Sequence, residues 1–329
     1  MHKNIVQGML LIYVVLFPAT SLHAAEAKDC QLKRYASLDL SGLRNGYLLV
    51  PVTIQGSHAF MILNTANAFS SITENAASRL ALQIKRIPFG ADVYSGKKPI
   101  EKVATAKGFS LGNVQFQSAD FMIISNDTFG PNPGDAQVIG ILGMDVFAHV
   151  DVELDVANRK MNLFSQDHCL DRAVYWSKTY DSAPIRFGLL GELYFPMELE
   201  GKKIETTLAT GNSTTTLSTD LTKKLYNFDS HSSDVETETD AAGGTTAHYR
   251  AMKLSGEGIQ IVNARITLID RPQNDRCHLG SRSGAAAYED CLGIHPLQLG
   301  RNVLTKLHIY IATKEKVLYF TPADAPDQR

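Results

Sequence analysis

The most restrictive feature of this 329-residue sequence is an internal repeat of long period. When the chain is aligned with itself at a shift of 145 residues, Pro51–Gly56 falls on Pro196–Gly201, and the alignment runs without a gap to Leu80 on Leu225. The same pattern of apolar and turn residues occurs in both segments, so one local structure is built twice. Because the chain exceeds the usual size of a single hydrophobic core, the repeat predicts two domains of similar size.

A second repeated element lies further along the chain. Ile141–Phe147 resembles Gln298–Leu304 at a shift of 157 residues, and intervening loops absorb the extra length. In each copy Leu-Gly precedes a short helix-like stretch that contains Asp145 or Asn302, both good N-cap residue types. We expect Asp145 to be a helix cap and not a catalytic group, because its counterpart Asn302 can cap but cannot act as a carboxylate.

Most other segments are short, rich in Val, Ile, Leu, Thr and Tyr, and separated by Gly, Pro, Asn or Asp, which is typical of β structure. The best helical candidates are Ala76–Leu80 and Asp220–Leu225. Asp151, Glu153 and Asp155 alternate along one predicted strand. Since a strand has period two, this pattern predicts a solvated face, with a cation site as the alternative.

The N-terminus has the features of a secretory signal peptide. Lys3 precedes the apolar run Met9–Phe17, which is followed by Pro18 and the small-residue stretch Ala24–Ala27. The run is too short to span a bilayer, which needs roughly 20 residues. We therefore predict an exported protein, periplasmic or secreted, with no stable membrane span after cleavage; an uncleaved anchor is the alternative. The predicted divisions are residues 1–27 (signal peptide), 35–165 (first domain), 166–186 (connector) and 187–323 (second domain).

All four cysteines follow the leader, an even number in a compartment that permits disulfides: Cys30, Cys169, Cys277 and Cys291. Three pairings are possible. We favour a bridge between Cys277 and Cys291, which flank one short Gly/Ser/Ala-rich segment. This pairing leaves Cys30 and Cys169 to bracket the first domain. The rival is a metal site formed by the last two cysteines with His278 and His295, but their spacing matches no compact zinc pattern. No metal is therefore predicted.

Composition excludes several classes of partner. The formal net charge is -2 and 20% of the residues are charged, so the chain has no basic surplus for nucleic acid. It contains no phosphate loop, dinucleotide fingerprint or paired zinc-ligand motif, and we expect no cofactor.

The order of these elements resembles the retropepsin-like aspartic peptidases, and it does so twice. In each copy a strand leads to a triplet like Asp-Thr-Gly, then to small hydroxyl residues, a short helix and a later apolar-apolar-Gly element. The matching residues are Asn64–Ala66 followed by Asn67 and Ile141–Gly143 in the first copy, and Ala209–Gly211 followed by Asn212 and Leu297–Gly300 in the second. The resemblance implies an all-β protein in which two tandem acid-protease β-barrel domains, with few short helices, form a pseudo-dimer with a cleft between them.

The resemblance also implies a flap hairpin over each side of the cleft. The flap positions correspond to Gly90–Gly96 and Ala241–Gly244, and the expected flap residues are Tyr94, Gly96, Gly243 and Gly244.

The pattern departs from the family where its chemistry takes place. Family members hydrolyse peptide bonds with two carboxylates about 3 Å apart that share one proton. Here Asn64 occupies the first position and can form hydrogen bonds but not take up a proton near neutral pH, whereas Ala209 can do neither. Ala66 also places a Cβ where the family has glycine. We therefore expect no intact catalytic residue.

Thr65 and Thr210 keep the threonine positions of the triplets. In the family this hydroxyl ties the loop of one domain to the backbone of the other, so their retention predicts that the paired architecture is kept. A simple preference of threonine for strand ends is the alternative.

Three functions are compatible with these features. The leading hypothesis is a catalytically inactive pseudo-peptidase that binds a peptide or protein segment in the cleft. The second is an active aspartic endopeptidase with a carboxylate at a position not yet identified, and the third is a structural or assembly protein that does not use the cleft.

Overall fold

The computed structural model describes residues 31–42, 46–87, 94–95, 98–129, 138–169, 172–188, 191–239, 244–256, 258–270 and 297–323. The predicted leader lies outside these ranges, as do Cys30, Cys277, Cys291, Gly96 and Gly243. The predictions on the signal peptide, the disulfide pairs and the rival metal site therefore remain predictions.

The first half of the chain forms a closed barrel of six strands in the order β3-β4-β11-β5-β10-β9, because β9 pairs back onto β3. Strand β4 is parallel to β11, and β5 is parallel to β10. The strands of this half are β1 (Arg34–Asp39), β2 (Ser41–Gly42), β3 (Leu48–Ile54), β4 (Ser57–Leu63), β5 (Ser71–Thr73), β6 (Gln83–Arg86), β7 (Tyr94–Ser95), β8 (Lys98–Pro99), β9 (Lys102–Leu111), β10 (Val114–Ile124), β11 (Val138–Leu142), β12 (Asp151–Asp155) and β13 (Lys160–Phe164).

The second half repeats this topology in the order β16-β17-β22-β18-β21-β20, with β20 pairing back onto β16. The prediction of two tandem β-barrels of the retropepsin-like kind is thus confirmed. The strands are β14 (Asp181–Pro184), β15 (Arg186–Phe187), β16 (Leu193–Leu199), β17 (Lys202–Leu208), β18 (Thr215–Ser218), β19 (Val235–Thr239), β20 (Thr245–Ser255), β21 (Gln260–Ile269), β22 (Leu297–Leu299), β23 (Leu307–Ala312) and β24 (Val317–Pro322).

The helices are short, and both helical predictions are confirmed. Helix α1 (Glu74–Arg79) is capped by the Thr73 hydroxyl, which accepts from the amide N of Ala76. Helix α2 (Thr219–Tyr226) has Ser218 in the same capping role. These caps satisfy amide groups that have no partner within the helix, and so fix where each helix begins. The remaining short helices are two 3₁₀ helices (Asn126–Phe129 and Met144–Phe147) and α3 (Arg301–Leu304).

A six-stranded sheet joins the two halves. Its order is β1-β13-β12-β23-β24-β14, and the central antiparallel pair takes one strand from each half, with Val152 opposite Ile311 and Leu154 opposite Ile309. Residues from Gln31 onward form one compact unit. The domain boundaries drawn from the sequence accordingly remain predictions. No helix within the described ranges is long and apolar enough to cross a membrane.

The prediction of a solvated face on β12 is wrong. Asp151 is 0% exposed, and Glu153 and Asp155 are also buried. Because β12 lies in the middle of the shared sheet, one of its faces packs on the main core, while the other is covered by the connector through Ala173 and Trp176. A sheet that is covered on both sides leaves no outward direction for alternating polar residues.

The buried carboxylates on β12 are partnered by side chains. Asp151 Oδ2 lies 2.6 Å from His168 Nε2, and Glu153 Oε1 lies 2.7 Å from His308 Nε2. Trp176 stacks on the His308 ring at a centroid distance of 4.0 Å. Asp151 therefore holds the connector onto the shared sheet through His168, while Glu153 and His308 pair across two strands of that sheet, because buried charges require close partners.

Candidate functional site

Two equivalent loops form the candidate site, one after β4 and the other after β17. In the first loop the amide N of Asn64 donates to Leu142 O at 3.0 Å, and in the second the amide N of Ala209 donates to Leu299 O at 2.9 Å. Both loops then form a tight turn, since the amide of Asn67 or Asn212 donates back to the carbonyl three residues earlier. The two sequence triplets thus have the same local structure.

The glycines of the two apolar-apolar-Gly elements allow close packing behind these loops. A Cβ on Gly143 would lie 2.7 Å from the carbonyl oxygen of Phe69, and one on Gly300 would lie 2.2 Å from that of Thr214. Such separations are too short for a side chain to be added without moving the backbone. Glycine is therefore required at both positions.

Thr65 and Thr210 connect the loops through reciprocal hydrogen bonds. Thr65 Oγ1 donates to Leu208 O at 2.8 Å, and Thr210 Oγ1 donates to Leu63 O at 2.9 Å. Each hydroxyl also accepts from the amide N of the other threonine, at 3.1 and 3.3 Å. Both residues are 1% exposed, so water does not compete for these bonds. The structure therefore contains the inter-half connection that the family resemblance implies.

The side chain of Asn64 reaches the opposite loop. A Cβ added to Gly211 would lie 2.6 Å from Asn64 Cγ, which shows that the two loops are in direct contact. Asn64 Oδ1 accepts from the amide N of Ala66 at 3.2 Å, and Asn64 Nδ2 donates to Asn67 Oδ1 at 3.1 Å. Both ends of the amide are therefore engaged within its own loop.

The opposite position offers no polar side chain. Ala209 is 0% exposed. Neither Asn64 nor Ala209 supplies a carboxylate, so the shared-proton chemistry of aspartic peptidases has no donor or acceptor at these two positions.

Asp145 is not the helix cap that the sequence predicted. The N-cap position belongs to Gly143, while Asp145 lies in the first turn and accepts from Ser70 at both the amide N (2.9 Å) and Oγ (2.6 Å). Asn302 does the same for Thr215, at 2.7 and 2.9 Å. Burial raises the pKa of Asp145, an effect that the hydrogen bonds from Ser70 oppose. The shared role of the pair is to fix the start of β5 and β18.

The sequence did not predict a role for Arg301, whose side chain forms a hydrogen bond to the second loop. Its Nη1 donates to Thr210 O at 2.7 Å, and its guanidinium lies over the Tyr47 ring at 5.5 Å from the centroid. Arg301 is 8% exposed, and burial lowers its pKa. The sequence signal was a basic residue directly after Gly300, at the start of a short helix that continues with Asn302, Val303 and Leu304.

The structure explains why the second Gly element contains a polar residue, Gln298. Its Oε1 accepts from Asn212 Nδ2 at 2.9 Å and from Thr216 Oγ1 at 3.2 Å. In the first half Ile141 pairs with Ser71, whose buried Oγ has no hydrogen-bond partner among the described residues.

Hairpins occur at both predicted flap positions in the chain. Strands β7 and β8 pair through Tyr94 opposite Pro99, and β19 and β20 pair through Thr239 opposite Thr245 beside Gly244. Their role as flaps stays a prediction. The described residues contain no group of three or more His, Cys, Asp or Glu side chains placed to hold a metal ion.

Residues 50–146 match the aspartyl protease family model. This stretch holds the first site loop, its threonine and the first Gly element, and the second half repeats the same barrel. This match and the two closed six-stranded barrels fit a tandem arrangement of retropepsin-like, aspartic-protease-like domains.

A similar solved structure is conglutin gamma, described as a unique basic 7S globulin from lupine seeds. The identity is 10%, the alignment covers 88% of this chain and 95% of that chain, and the TM-score is 0.46. The comparison with curated proteins returned no match.

Proposed function

We propose that the protein is an exported pseudo-peptidase that binds a peptide or protein segment in the cleft between its two barrels without cutting it. One observation carries the proposal: the Thr65–Thr210 connection is complete, whereas the positions beside it hold Asn64 and Ala209. The architecture that aligns two loops is kept, and the groups that would perform hydrolysis are missing.

The loss of chemistry follows from the residue types. Removal of one general acid or base typically lowers a rate by about 10²- to 10⁴-fold, and here both members of the proton-sharing pair are replaced. The Asn64 amide is also held by Ala66 and Asn67, which fixes its orientation. A side chain that is fixed and does not titrate suits recognition better than proton transfer.

The exposure of the loops supports a binding role. Thr65 and Thr210 are buried, while the residues around them are half-buried: Asn64, Ala66, Asn67, Gly211 and Asn212. These residues offer amide side chains and backbone groups, which suit the repeated N–H and C=O groups of an extended peptide.

Export is part of the proposal and rests on the sequence of the leader. Cys169 is the one cysteine in the described part of the chain, and it is not a free thiol. This state is compatible with export. A bridged cysteine is expected in an oxidising compartment.

A direct test combines cleavage with binding. The mature protein is incubated between pH 3 and 7 with a library of unstructured peptides, and we expect the peptides to be retained on the protein but not cut. Cleavage that a transition-state mimic of aspartic peptidases blocks would contradict the proposal and favour the endopeptidase alternative.

Two matched variants locate the binding surface. Ala66→Trp fills the space beside the two loops, whereas Ser118→Trp adds the same bulk to an exposed position on β10. We expect the first variant to lose peptide binding by at least about tenfold and the second to retain it. Equal binding by both variants would favour a structural protein that uses another surface.

A further inference from the structure

The two site loops are equivalent in the repeat, but their asparagine side chains are bonded in opposite ways. Asn67 of the first loop and Asn212 of the second are related by the shift of 145 residues, and both are half-buried. Each amide N closes the turn of its own loop, and each carbonyl oxygen accepts from the residue after the Gly element. At these two positions the side-chain amides therefore remain as the groups that can meet a ligand.

In the first loop, Asn67 is bonded through its side-chain oxygen. The amide N of Ala66 donates to Asn64 Oδ1 at 3.2 Å, and a backbone amide can only donate. This bond determines which end of the Asn64 side chain is oxygen. Asn64 Nδ2 is therefore the atom that donates to Asn67 Oδ1, at 3.1 Å. The oxygen of Asn67 is thus engaged, and its NH₂ group is the free end.

In the second loop, Asn212 is bonded through its side-chain nitrogen. Asn212 Nδ2 donates to Gln298 Oε1 at 2.9 Å, and Thr216 Oγ1 donates to the same oxygen at 3.2 Å. The nitrogen of Asn212 is thus engaged, and its Oδ1 is the free end.

The two copies differ at the residues that would bond these side chains. Ala209 has no side-chain group that could donate to the Asn212 oxygen. Ile141, the counterpart of Gln298, cannot accept from the Asn67 nitrogen. Two sequence differences between the copies therefore account for the opposite bonding.

Both free ends reach solvent. Neither Asn67 Nδ2 nor Asn212 Oδ1 has a hydrogen-bond partner among the residues that the structure describes. The described side-chain N and O atoms that are both buried and unbonded belong to other residues: Ser71, Asn162 and Glu315. A ligand can therefore bond to either free end by displacing water, without breaking a hydrogen bond inside the protein.

The two asparagines flank the place where the loops touch. Asn67 is bonded to the side chain of Asn64, and a Cβ added to Gly211 would lie 2.6 Å from Asn64 Cγ. Gly211 directly precedes Asn212 in the chain. A ligand that lies across this contact is thus offered an N–H donor by one loop and an oxygen acceptor by the other.

We infer that Asn67 and Asn212 determine the specificity of the site, with Asn67 donating to a carbonyl oxygen of the bound peptide and Asn212 accepting from one of its N–H groups. This inference rests on the proposed function and identifies the groups of the ligand that are recognised. Every residue of a peptide other than proline carries both kinds of group, so one extended segment can satisfy both asparagines. Two identically bonded loops would offer two donors or two acceptors.

The test makes the same substitution at the two equivalent positions. Asn67→Asp keeps the oxygen that accepts from Asn64 but replaces the free NH₂ group with a second oxygen. Asn212→Asp keeps the free oxygen and removes the donor to Gln298, whose own amide can turn to donate in its place. Both variants add one negative charge, so each is the matched control of the other.

The probe is a pool of random decapeptides with acetylated and amidated ends, and its retention on the mature protein is measured at pH 7 by mass spectrometry. We expect Asn67→Asp to retain at least about tenfold less of the pool than the unchanged protein, because a carboxylate oxygen repels the ligand carbonyl and offers no donor. Asn212→Asp should retain at least as much as the unchanged protein, because a charged acceptor forms a stronger bond with an N–H group.

A second measurement follows the side-chain NH₂ resonances by NMR. We expect those of Asn67 to shift when the pool is added to the unchanged protein. Those of Asn162 should stay in place, because its Nδ2 donates to the buried Glu153 at 3.1 Å. Circular dichroism verifies that the variants fold; Asn67→Ala, which also removes the donor, replaces Asn67→Asp if that variant does not.

Equal retention by the two folded variants, a loss confined to Asn212→Asp, or Asn67 resonances that do not move would overturn the inference and leave the proposed function intact. An unchanged protein that retains none of the pool would overturn the proposed function, and the inference with it.

Discussion

His168 Nε2 lies 2.6 Å from Asp151 Oδ2, and both side chains are 1% exposed. This contact joins the connector to the central strand of the sheet that both halves share. Glu315 Oε1, from the turn between β23 and β24, lies 3.4 Å from the other ring nitrogen of His168. One imidazole thus links three segments of the chain, and its charge state affects how firmly the halves are held together.

The first prediction concerns pH and stability. The hydrogen bond to Asp151 raises the pKa of His168 above its usual value of 6.5, although burial opposes the shift. A raised pKa means that the stabilisation is fully present below pH 6.5 and is lost as pH rises through the folded-state value. We expect the free energy of unfolding, measured by urea denaturation between pH 5.5 and 9, to fall over this window.

His168→Asn should remove this pH dependence and lower the free energy of unfolding at pH 6 by more than about 2 kcal/mol, because the buried Asp151 carboxylate keeps its hydrogen bonds from Tyr310 and Thr313 but loses its cationic partner. His58→Asn is the control, since His58 is exposed on β4. An identical pH slope in both variants would show that another group is responsible.

The second prediction concerns the threonine connection. Thr65→Val and Thr210→Val each leave a buried carbonyl oxygen without its donor, so each should lower the free energy of unfolding by about 1–3 kcal/mol. The two effects should not add, because the hydroxyls share one network. Thermal and urea denaturation of the single and double variants measure the coupling, with Thr53→Val as control. Strict additivity would contradict a shared network.

The third prediction compares two positions that the repeat makes equivalent. Ser71→Ala removes a buried hydroxyl that has no hydrogen-bond partner in the described part of the chain, and should be neutral or stabilising by up to about 1 kcal/mol. Thr216→Val removes a hydroxyl bonded to Gln298, and should destabilise by about 1 kcal/mol. Urea denaturation curves of both variants measure the two changes in the free energy of unfolding. Equal losses would mean that the Ser71 hydroxyl is bonded in solution.

The fourth prediction restores the missing chemistry. Asn64→Asp, Ala66→Gly and Ala209→Asp together place two carboxylates on loops that already touch, through Asn64 and Gly211. One of the two apparent pKa values should then rise, since like charges about 3 Å apart resist joint ionisation. Weak, acid-favoured cleavage of unstructured peptides should follow, while Asn64→Asp alone should give none.

NMR titration of the triple variant checks the geometry independently of turnover. Two carboxylates that ionise separately near about 3.9, the usual value for exposed aspartate, would show that the new groups do not face each other. Slow cleavage is expected in any case, because an error of 1 Å in position can lower a rate by about 10²-fold.

The fifth prediction concerns processing. We expect the exported protein to begin between Ala25 and Lys28 and to contain bridges between Cys277 and Cys291 and between Cys30 and Cys169. Intact-mass measurement before and after reduction, followed by mapping of the linked peptides, gives both results. Free thiols on all four cysteines would contradict the predicted compartment as well as the pairing.

The sequence was sufficient for the features that depend on local pattern. The internal repeat, the short strands and the two short helices were predicted from strand alternation, turn residues and helical stretches, which act over a few residues. The two barrels were predicted from the resemblance to the retropepsin-like aspartic peptidases. The contact between the site loops could be expected from Thr65 and Thr210, because in the family that the sequence resembles this threonine ties the loop of one domain to the other.

Tertiary structure alone decided the roles of residues whose partners are distant in the chain. Asp151, Glu153 and Asp155 have the pattern of a solvated face, but β12 became a central strand between the second half and the connector, so these side chains were buried against histidines. The burial of a strand depends on the segments that pack against it, and the pattern of its own five residues does not reveal those segments.

The same reason explains the smaller errors at the site. Asp145 has the residue type of a cap, but Ser70, which is 75 positions earlier, donates hydrogen bonds to both of its carboxylate oxygens. Four further side chains become neighbours only through the register of four strands: Gln298, Thr216, Thr267 and His248. The sequence thus determined which local structures form, and the pairing of distant strands determined which side chains meet, because hydrogen bonding and burial depend on distance in space and not along the chain.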